Sequence, residues 1–212
     1  MDRLRIMSSN LLVDRAEPRA LARAIENASP DILVVQELGP MCTRVIEDLF
    51  SHHDLEARAD CFGIGIAARR PIGVNVLEMP ERSARIAELL PENWDGLSER
   101  VTVIGMHATN PIDWPWTISV RQRTEQFRLV GEAAAAIAGR YVVIGDMNAT
   151  PAWPGYRKLS AIGDDAARLA GTQKRTWSRF TEGPRLLRID HAFTRGIGVR
   201  STSTVSITGT DH

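Results

Sequence analysis

The sequence predicts an α/β fold in which two β-sheets pack face to face and helices cover their outer sides. Apolar runs of strand length alternate with helix-length segments along the whole chain. Two of these runs, DILVVQEL and VTVIGMH, are apolar almost throughout, as expected for buried strands. No internal repeat, low-complexity tract or linker divides the 212 residues, so we expect one large domain.

In the first half of the chain, apolar runs and their breaks define the elements. The first helix begins beside Pro18, which a first helical turn tolerates, and stops at Ser29-Pro30. The next strand carries Glu37 at its end, and a second helix starts at Pro40. The predicted elements are strands at 4–11, 31–38, 63–69 and 72–78, helices at 17–28 and 40–50, and a mixture of strand and loop at 79–95.

The second half continues this alternation. The run VTVIGMH is a buried strand that ends in His107, and a long helix-length segment follows it. The run YVVIG is a buried strand that ends directly before Asp146. The predicted elements are strands at 101–107, 141–145, 186–194 and 199–207, and helices at 118–137 and 156–161. Apolar strands mixed with a few helices favour two packed sheets with helices outside.

The charge balance limits the partners of the protein. Lysine plus arginine and aspartate plus glutamate both number 26, so the formal net charge is zero. Non-specific nucleic-acid binding needs positive surface, which here can only be a local patch. Cys42 and Cys61 are too few for a disulfide scaffold, and we expect free thiols. Without a signal peptide or a membrane-spanning run, we expect a soluble chain, cytoplasmic by default or the excised head of a membrane-anchored extracytoplasmic protein.

Polar residues fall where the predicted apolar strands end. Rigid strands position the loops that follow them, so side chains at strand ends commonly meet in one site. The tail of the chain adds further carboxylate and imidazole groups. The residues concerned are Asn10, Glu37, His107, Asp146 and Asn148 at strand ends, and Asp190, Asp211 and His212 in the tail.

Six segments in this order, SSNLL, VVQEL, GMHATNP, GDMNATP, LLRIDH and GTDH, resemble the endonuclease/exonuclease/phosphatase superfamily essentially from end to end. Deoxyribonuclease, abasic-site endonucleases, neutral sphingomyelinases and inositol polyphosphate phosphatases belong to it. The run from TW to GTDH looks closest to a bacterial branch with membrane-anchored relatives. The resemblance implies a four-layer α/β sandwich and a phosphoester hydrolase that depends on Mg²⁺ or Mn²⁺.

The resemblance also implies a metal site. Glu37 would be the principal ligand, supported by Asn10 and Asp211. Hard oxygen ligands of this kind suit Mg²⁺ or Mn²⁺ and would bind a soft metal poorly.

The resemblance implies catalytic roles for five residues. Asp146 would align or deprotonate the attacking water, and Asn148 would hydrogen-bond Asp146 or a phosphate oxygen. His212, oriented by Asp190, would contact the phosphoryl oxygen, and His107 would donate to the phosphate. Transfer of a phosphoryl group to water needs a positioned nucleophile and neutralised charge on the phosphate oxygens, which these groups can supply.

Substrate binding is less defined by the sequence. Asn110 and Arg121 are candidates to contact the phosphate, and the substrate is either a nucleic acid or a lipid-linked or small phosphoester. Trp114 and Trp116 could stack on a base, meet a lipid or cover the core. We expect a monomer without a stable protein partner. Candidates for a local basic groove are Arg69, Arg70, Arg121, Arg123 and Arg188.

Each site residue also has a structural interpretation. Asn10 could cap a loop, Glu37 could be a solvated charge, and His107 could be a satisfied core histidine. Asp190 could pair with Arg188 or Arg195. Further residues read as structural are His191, the pair His52-His53 in an exposed loop, and Trp153 and Trp177 in the core. The alternative function is a non-catalytic, metal-containing binding module on the same scaffold.

The end of the chain departs from the family pattern. Family members continue past the final Asp-His pair with an apolar strand, whereas this sequence stops at His212. We therefore expect the domain over residues 1–212 to lack its final C-terminal strand. The terminal carboxylate would also lie on the predicted catalytic histidine and repel an incoming phosphate.

Overall fold

The computed structural model describes residues 3–181 and 183–212 and confirms the predicted fold of two mixed sheets with helices outside. The first sheet has the strand order β1-β2-β4-β3. The second has the order β5-β6-β7-β8-β10-β9. The strands are β1 (Ile6–Asn10), β2 (Ile32–Gln36), β3 (His52–Glu56), β4 (Ile64–Ala68), β5 (Gly73–Met79), β6 (Arg82–Leu89), β7 (Val101–His107), β8 (Arg140–Asp146), β9 (Asp164–Asp165) and β10 (Asp190–Arg195).

Helices cover the outer face of each sheet. Leu21 of α1 and Ile46 of α2 pack on the first sheet, and Phe127 of α3 and Leu159 of α4 pack on the second. The helices are α1 (Pro18–Ala28), α2 (Pro40–Leu49), α3 (Trp116–Ala136), α4 (Pro154–Ser160) and α5 (Ala166–Leu169). No helix among the described residues has the length and apolar character needed to cross a membrane.

Alternating side chains along the buried strands build the layers. In β2, Leu33 and Val35 face α1 and α2, whereas Ile32 and Val34 enter the core between the two sheets. The apolar residues of β8 divide in the same way between α3 and the inter-sheet core. Because successive side chains of a strand point to opposite faces, strands that are buried on both sides must be apolar throughout.

Strand register brings the polar strand ends to one end of the sandwich. In the parallel pair β1 and β2, Asn10 lies opposite Gln36. In the parallel pair β7 and β8, His107 lies opposite Asp146. Strand β10 runs antiparallel to β8 and begins with Asp190 opposite Asp146, so it reaches the same end from the other direction.

Several predicted elements differ in the structure. Residues 199–207 form no strand, because this segment is rich in serine and threonine and of its side chains only Ile207 is buried. The strand predicted at 186–194 is shorter, since Leu187 instead forms an isolated bridge with Trp177. His52 and His53 begin strand β3 and are not in a loop. Strand β9 and helix α5 were not predicted, although Asp165 caps the helix by accepting from two backbone N–H groups.

Candidate active site

Asp146 occupies the centre of the polar cluster and is almost fully buried. Its Oδ1 accepts the backbone N–H of Asn148 at 2.8 Å, and its Oδ2 accepts Nδ2 of Asn10 at 3.2 Å. The Nε2 atoms of His212 and His107 lie 3.5 and 3.6 Å from that Oδ2. Burial raises the pKa of Asp146 to about 7, against the opposing effect of the His212 charge. One carboxylate thus contacts groups from both sheets.

The backbone around Asp146 explains the sequence GDMN. Gly145 has φ +146°, and a Cβ at this position would lie 1.9 Å from the carbonyl oxygen of Met106. Asn148 has φ +45°, a left-handed conformation that asparagine adopts more readily than most residues. Its side chain donates to the carbonyl of Ala108 at 2.9 Å and so connects the loops that follow β7 and β8.

His212 and Asp190 form a hydrogen-bonded pair beside Asp146. Nδ1 of His212 lies 2.8 Å from Oδ2 of Asp190. Burial alone would lower the pKa of His212, but Asp190, Asp146 and Asp211 outweigh it and raise that pKa to about 10. Burial would likewise raise the pKa of Asp190, but the His212 charge and hydrogen bond hold it below its ordinary value. At neutral pH the pair is therefore an imidazolium and a carboxylate.

His107 is held by a residue that the sequence did not single out, Arg82 on β6. Nη1 of Arg82 lies 2.8 Å from Nδ1 of His107 and also donates to the carbonyl of Cys61 at 2.8 Å. A guanidinium nitrogen can only donate, so Nδ1 accepts and the ring proton lies on Nε2. Burial, with help from the Arg82 and His212 charges, lowers the pKa of His107 well below its ordinary value. A neutral imidazole thus directs an N–H donor toward the carboxylate cluster.

Glu37 and Asp211 lie beside this centre and offer carboxylate oxygens, whereas the side-chain oxygen of Asn10 accepts the backbone N–H of Leu12 at 3.0 Å. Nδ2 of Asn10 donates to Oε1 of Glu37 at 3.0 Å, and burial raises the pKa of Glu37. Glu37 has φ +50°, an uncommon conformation that residues at functional sites often adopt. Oδ2 of Asp211 accepts Nε1 of Trp177 at 3.0 Å, while its buried Oδ1 has no hydrogen-bond partner among the described residues.

This donor set fits a divalent cation. An orphaned, buried carboxylate oxygen costs free energy that a cation would offset. Four carboxyl groups also meet here, those of Glu37, Asp146, Asp190 and Asp211, and the charge of His212 acts on the first three. Hard oxygen donors are the ligands that Mg²⁺ and Mn²⁺ prefer.

A second grouping, Asp146, Asp190 and His212, also has ligand atoms close enough to hold a metal, all within 4.8 Å of one another. Its imidazole is unsuited to that role, since Nδ1 is engaged by Asp190 and an imidazolium has no free lone pair for a metal.

A comparison with family models identifies the family of the chain. The model of the endonuclease/exonuclease/phosphatase family matches residues 7–212. This chain belongs to the endonuclease/exonuclease/phosphatase family. Members of this family are metal-dependent phosphoesterases, which supports a phosphoester hydrolase. A search among curated proteins gave no match.

Solved structures share the fold of this family member at low sequence identity. An endonuclease/exonuclease/phosphatase from Beutenbergia cavernae is 20% identical and has a TM-score of 0.69. The match covers 91% of this chain but only 64% of the Beutenbergia cavernae protein. Truncated TDP2 from Caenorhabditis elegans is 21% identical with a TM-score of 0.68, covering 92% and 84% of the two chains. The 3′ phosphatase NExo from Neisseria, bound to product DNA hairpin, is 17% identical with a TM-score of 0.70, covering 92% and 87%.

The two residues predicted to contact the substrate, Asn110 and Arg121, are more exposed than the central residues Asp146 and His107. Asn110 uses its side-chain oxygen to accept the backbone N–H of Ile112 at 3.2 Å, which closes a local turn. Arg121 is exposed on the first turns of α3. Arg123 is buried instead, and its Nη1 donates to the carbonyl of Asn148, so it holds the loop after Asp146.

The other candidates for a basic groove lie away from the site. Arg188 is buried in an ion pair with Asp165, with 2.7 Å between Nη2 and Oδ2. Asp190, which was a possible partner of Arg188, instead contacts His212. Arg69 and Arg70 follow the end of β4 that pairs with the start of β2, at the opposite end of the sandwich. His191 is buried, and its Nε2 lies 2.7 Å from the carbonyl of Ala149.

The structure also adds residues that the sequence did not identify. Trp177, predicted as a core residue, is partly buried and orients Asp211 through its indole N–H. Oγ1 of Thr176 accepts the backbone N–H of Asp190 at 3.1 Å. The motif TW was visible in the sequence, but its position relative to Asp211 depends on how the tail folds back. Nothing in the sequence around Arg82 indicated a contact with His107.

Proposed function

We propose that this chain hydrolyses phosphoester bonds in a reaction that depends on Mg²⁺ or Mn²⁺ and proceeds by in-line attack of water. The observation that carries the proposal is the buried Asp146 carboxylate, held by Asn10 and Asn148 and flanked by His107 and His212. A positioned carboxylate can orient the attacking water, and N–H donors beside it can stabilise charge on the phosphate oxygens, which are the two contributions that phosphoryl transfer needs.

Glu37, Asn10 and Asp211 would hold the metal ion. When bound, the ion would neutralise charge on the phosphate and help to lower the pKa of bound water. Trp177 keeps Asp211 oriented through the hydrogen bond to its Oδ2, which leaves Oδ1 available as a ligand. Asn10 links the two functions, since its amide contacts both Glu37 and Asp146.

Asp146 would accept the proton of the attacking water. Its Oδ1 is fixed by the backbone N–H of Asn148, and its Oδ2 faces Nδ2 of Asn10 and the Nε2 atoms of both histidines. A pKa raised to about 7 is suited to a base that works near neutral pH. Asn148 would maintain this orientation.

The two histidines would act on the phosphate in different protonation states. His212, kept as an imidazolium by Asp190, would neutralise charge on a phosphoryl oxygen. His107, kept neutral by burial and by Arg82, would donate its Nε2–H without adding a charge. Donors positioned before the reaction stabilise developing charge most effectively.

The substrate in this proposal is either a nucleic acid or a lipid-linked or small phosphoester. Two structural relatives are TDP2 and a 3′ phosphatase bound to product DNA hairpin, which supports a nucleic-acid substrate. The zero net charge of the chain provides no general attraction for a polyanion.

A substrate panel tests the proposal. Purified protein would be assayed on plasmid DNA, bis-p-nitrophenyl phosphate, a phosphomonoester and a polyprenyl diphosphate, with Mg²⁺, Mn²⁺ or EDTA. We expect turnover on at least one substrate that EDTA abolishes and that Asp146→Asn lowers by about a hundredfold or more. Val76→Ser, on the exposed strand β5, is a matched control and should keep the wild-type rate. No EDTA-sensitive turnover on any substrate would instead favour a non-catalytic, metal-containing binding module.

A further inference from the structure

Exposed apolar side chains are concentrated around the mouth of the candidate active site. Of the twelve large apolar side chains that are exposed in the described residues, eight lie on two segments, 112–120 and 180–187. They include the three exposed aromatic side chains of the described chain, Trp114, Trp116 and Phe180, at 86%, 58% and 67% exposure. We call the eight side chains the apolar rim: Ile112, Trp114, Trp116, Ile118, Val120, Phe180, Leu186 and Leu187.

Topology places the two segments on either side of Asp146. The first follows β7, which ends at His107, and the second precedes β10, which begins at Asp190. Strand β8 lies between β7 and β10 in the sheet and ends at Asp146. The second segment also contacts the site directly, since its Arg185 donates to the carbonyl of His212, and Trp177, three residues before the segment, hydrogen-bonds Asp211.

Isolated exposed apolar residues need no explanation, but eight on two segments that flank a site do. The rim is not required to complete the core, because its side chains remain exposed while the cores of the two sheets are filled. Moving each such side chain out of water would lower the free energy. The rim is therefore suited to bind a partner.

The charge beside the rim indicates an anionic partner. Segment 172–188 contains five lysine or arginine residues and one acidic residue, of which Arg188 is buried in its ion pair with Asp165 and adds no surface charge. Lys174, Arg175 and Arg179 are exposed there, and Arg121 is exposed next to the other half of the rim.

The composition of the rim distinguishes a membrane from a nucleic acid. Bases stack on aromatic faces, so a nucleic acid could use Trp114, Trp116 and Phe180. It would leave the five aliphatic side chains in water, since these have no π-face. The boundary between headgroups and acyl chains accepts tryptophan, phenylalanine and aliphatic side chains together, with arginine and lysine at the anionic surface.

We propose that the apolar rim docks the active site onto an anionic membrane surface, so that the substrate is the phosphoester of a membrane lipid. The headgroup would enter between the two segments and reach Asp146, while the rim contacts the acyl boundary. The choice of substrate rests on the proposed hydrolase function, but the docking step does not require catalysis.

Vesicle binding tests the docking step separately from hydrolysis. The protein would be sedimented with vesicles of phosphatidylcholine, with and without phosphatidylglycerol, in EDTA. We expect binding to the anionic vesicles that weakens with added salt, because exposed charges are screened. The double variant Trp114→Ser, Trp116→Ser should lose at least about tenfold in partition coefficient. Val76→Ser, which removes an equally exposed apolar side chain outside the rim, should bind as wild type does.

Three outcomes would overturn the inference: no binding to any vesicle, equal binding by the double variant, or tryptophan-dependent binding to single-stranded DNA alone. Far-ultraviolet circular dichroism and a cooperative urea transition of the double variant establish that it is folded. Asp146→Asn should bind vesicles as wild type does. Vesicle binding without lipid hydrolysis would therefore count against the proposed function and leave docking intact, whereas hydrolysis of soluble substrates without vesicle binding would do the reverse.

Discussion

Replacing Arg82 by methionine tests how the site controls the proton of His107. Arg82 contacts Nδ1 of His107 at 2.8 Å and thereby places the ring proton on Nε2. A hydrogen bond to a charged group contributes about 1.5–3 kcal/mol. If His107 donates to the phosphate in the transition state, Arg82→Met should lower kcat/KM by about ten- to a hundredfold.

The same substitution should also cost folding stability, because it leaves the carbonyl of Cys61 and Nδ1 of His107 without the donor that Nη1 supplies, at about 1–3 kcal/mol for a buried group. Part of this cost is offset, since Nε of Arg82 has no hydrogen-bond partner among the described residues and methionine carries no such donor. A loss of activity at a temperature where the urea curve shows the variant to be fully folded would separate a positioning role from a structural one. Arg82→Lys keeps the cation with a different donor geometry and should be intermediate in activity.

The protonation state can be read directly by ¹⁵N NMR of the histidine rings, in metal-free protein. Five histidines are present, and a His107→Gln variant identifies the signals of His107. We expect an unprotonated Nδ1 and a protonated Nε2 in the wild type, and loss of this preference in Arg82→Met. A protonated Nδ1 in the wild type, or an unchanged spectrum in the variant, would refute the reasoning.

Three further predictions concern other residues. Asp190→Asn removes the carboxylate that holds His212 and should lower kcat by about 10²–10⁴ while circular dichroism stays unchanged; a wild-type rate would contradict the role. Burial raises the pKa of Asp165, but hydrogen bonds from Arg188 and Tyr156 outweigh it and hold that pKa below its ordinary value. Because the pKa of Asp165 is lower in the folded than in the unfolded protein, its carboxylate stabilises the fold at any pH above the unfolded-state pKa. This stabilisation is lost as the pH falls through the folded-state pKa, so the wild type should lose stability below about pH 4. Asp165→Asn should cost about 3–5 kcal/mol at neutral pH and lose this dependence, as urea denaturation at several pH values would show. Gly145→Ala should cost at least about 2 kcal/mol, because an added Cβ meets the Met106 carbonyl; an unchanged urea midpoint would exclude this strain.

Much of the site was predictable because it follows from strand ends. Apolar runs fix where β1, β2, β7 and β8 stop, and parallel pairing brings Asn10 beside Gln36 and His107 beside Asp146. The fold class followed from the same runs, since strands that are apolar on both faces must be covered on both faces.

The parts that could not be predicted depend on contacts distant in sequence. Arg82 lies on a strand with weak alternation, and its role arises only when β6 pairs with β7. Trp177 reaches Asp211 across 34 positions of sequence. The segment 199–207 alternates weakly with β-branched residues, yet its hydroxyl-rich side chains remain exposed and it forms no strand. Local patterns cannot distinguish such a segment from a strand when tertiary pairing decides.

The exposed tryptophans illustrate the same limit. The sequence left Trp114 and Trp116 open between core packing and ligand contact, and the structure leaves both side chains in solvent. Composition alone could not decide this, because a tryptophan side chain has a large apolar ring and a polar N–H and suits both a core and an interface.

The most direct test of the central claim is the concentration of Mg²⁺ or Mn²⁺ that gives half-maximal turnover, compared between the wild type and Glu37→Gln. Glu37 is the expected principal ligand, and removal of its charge should raise that concentration at least about tenfold. Glu47→Gln on α2 serves as a control outside the cluster and should leave it unchanged. Equal metal dependence in the wild type and Glu37→Gln, or turnover that persists in EDTA, would contradict the account.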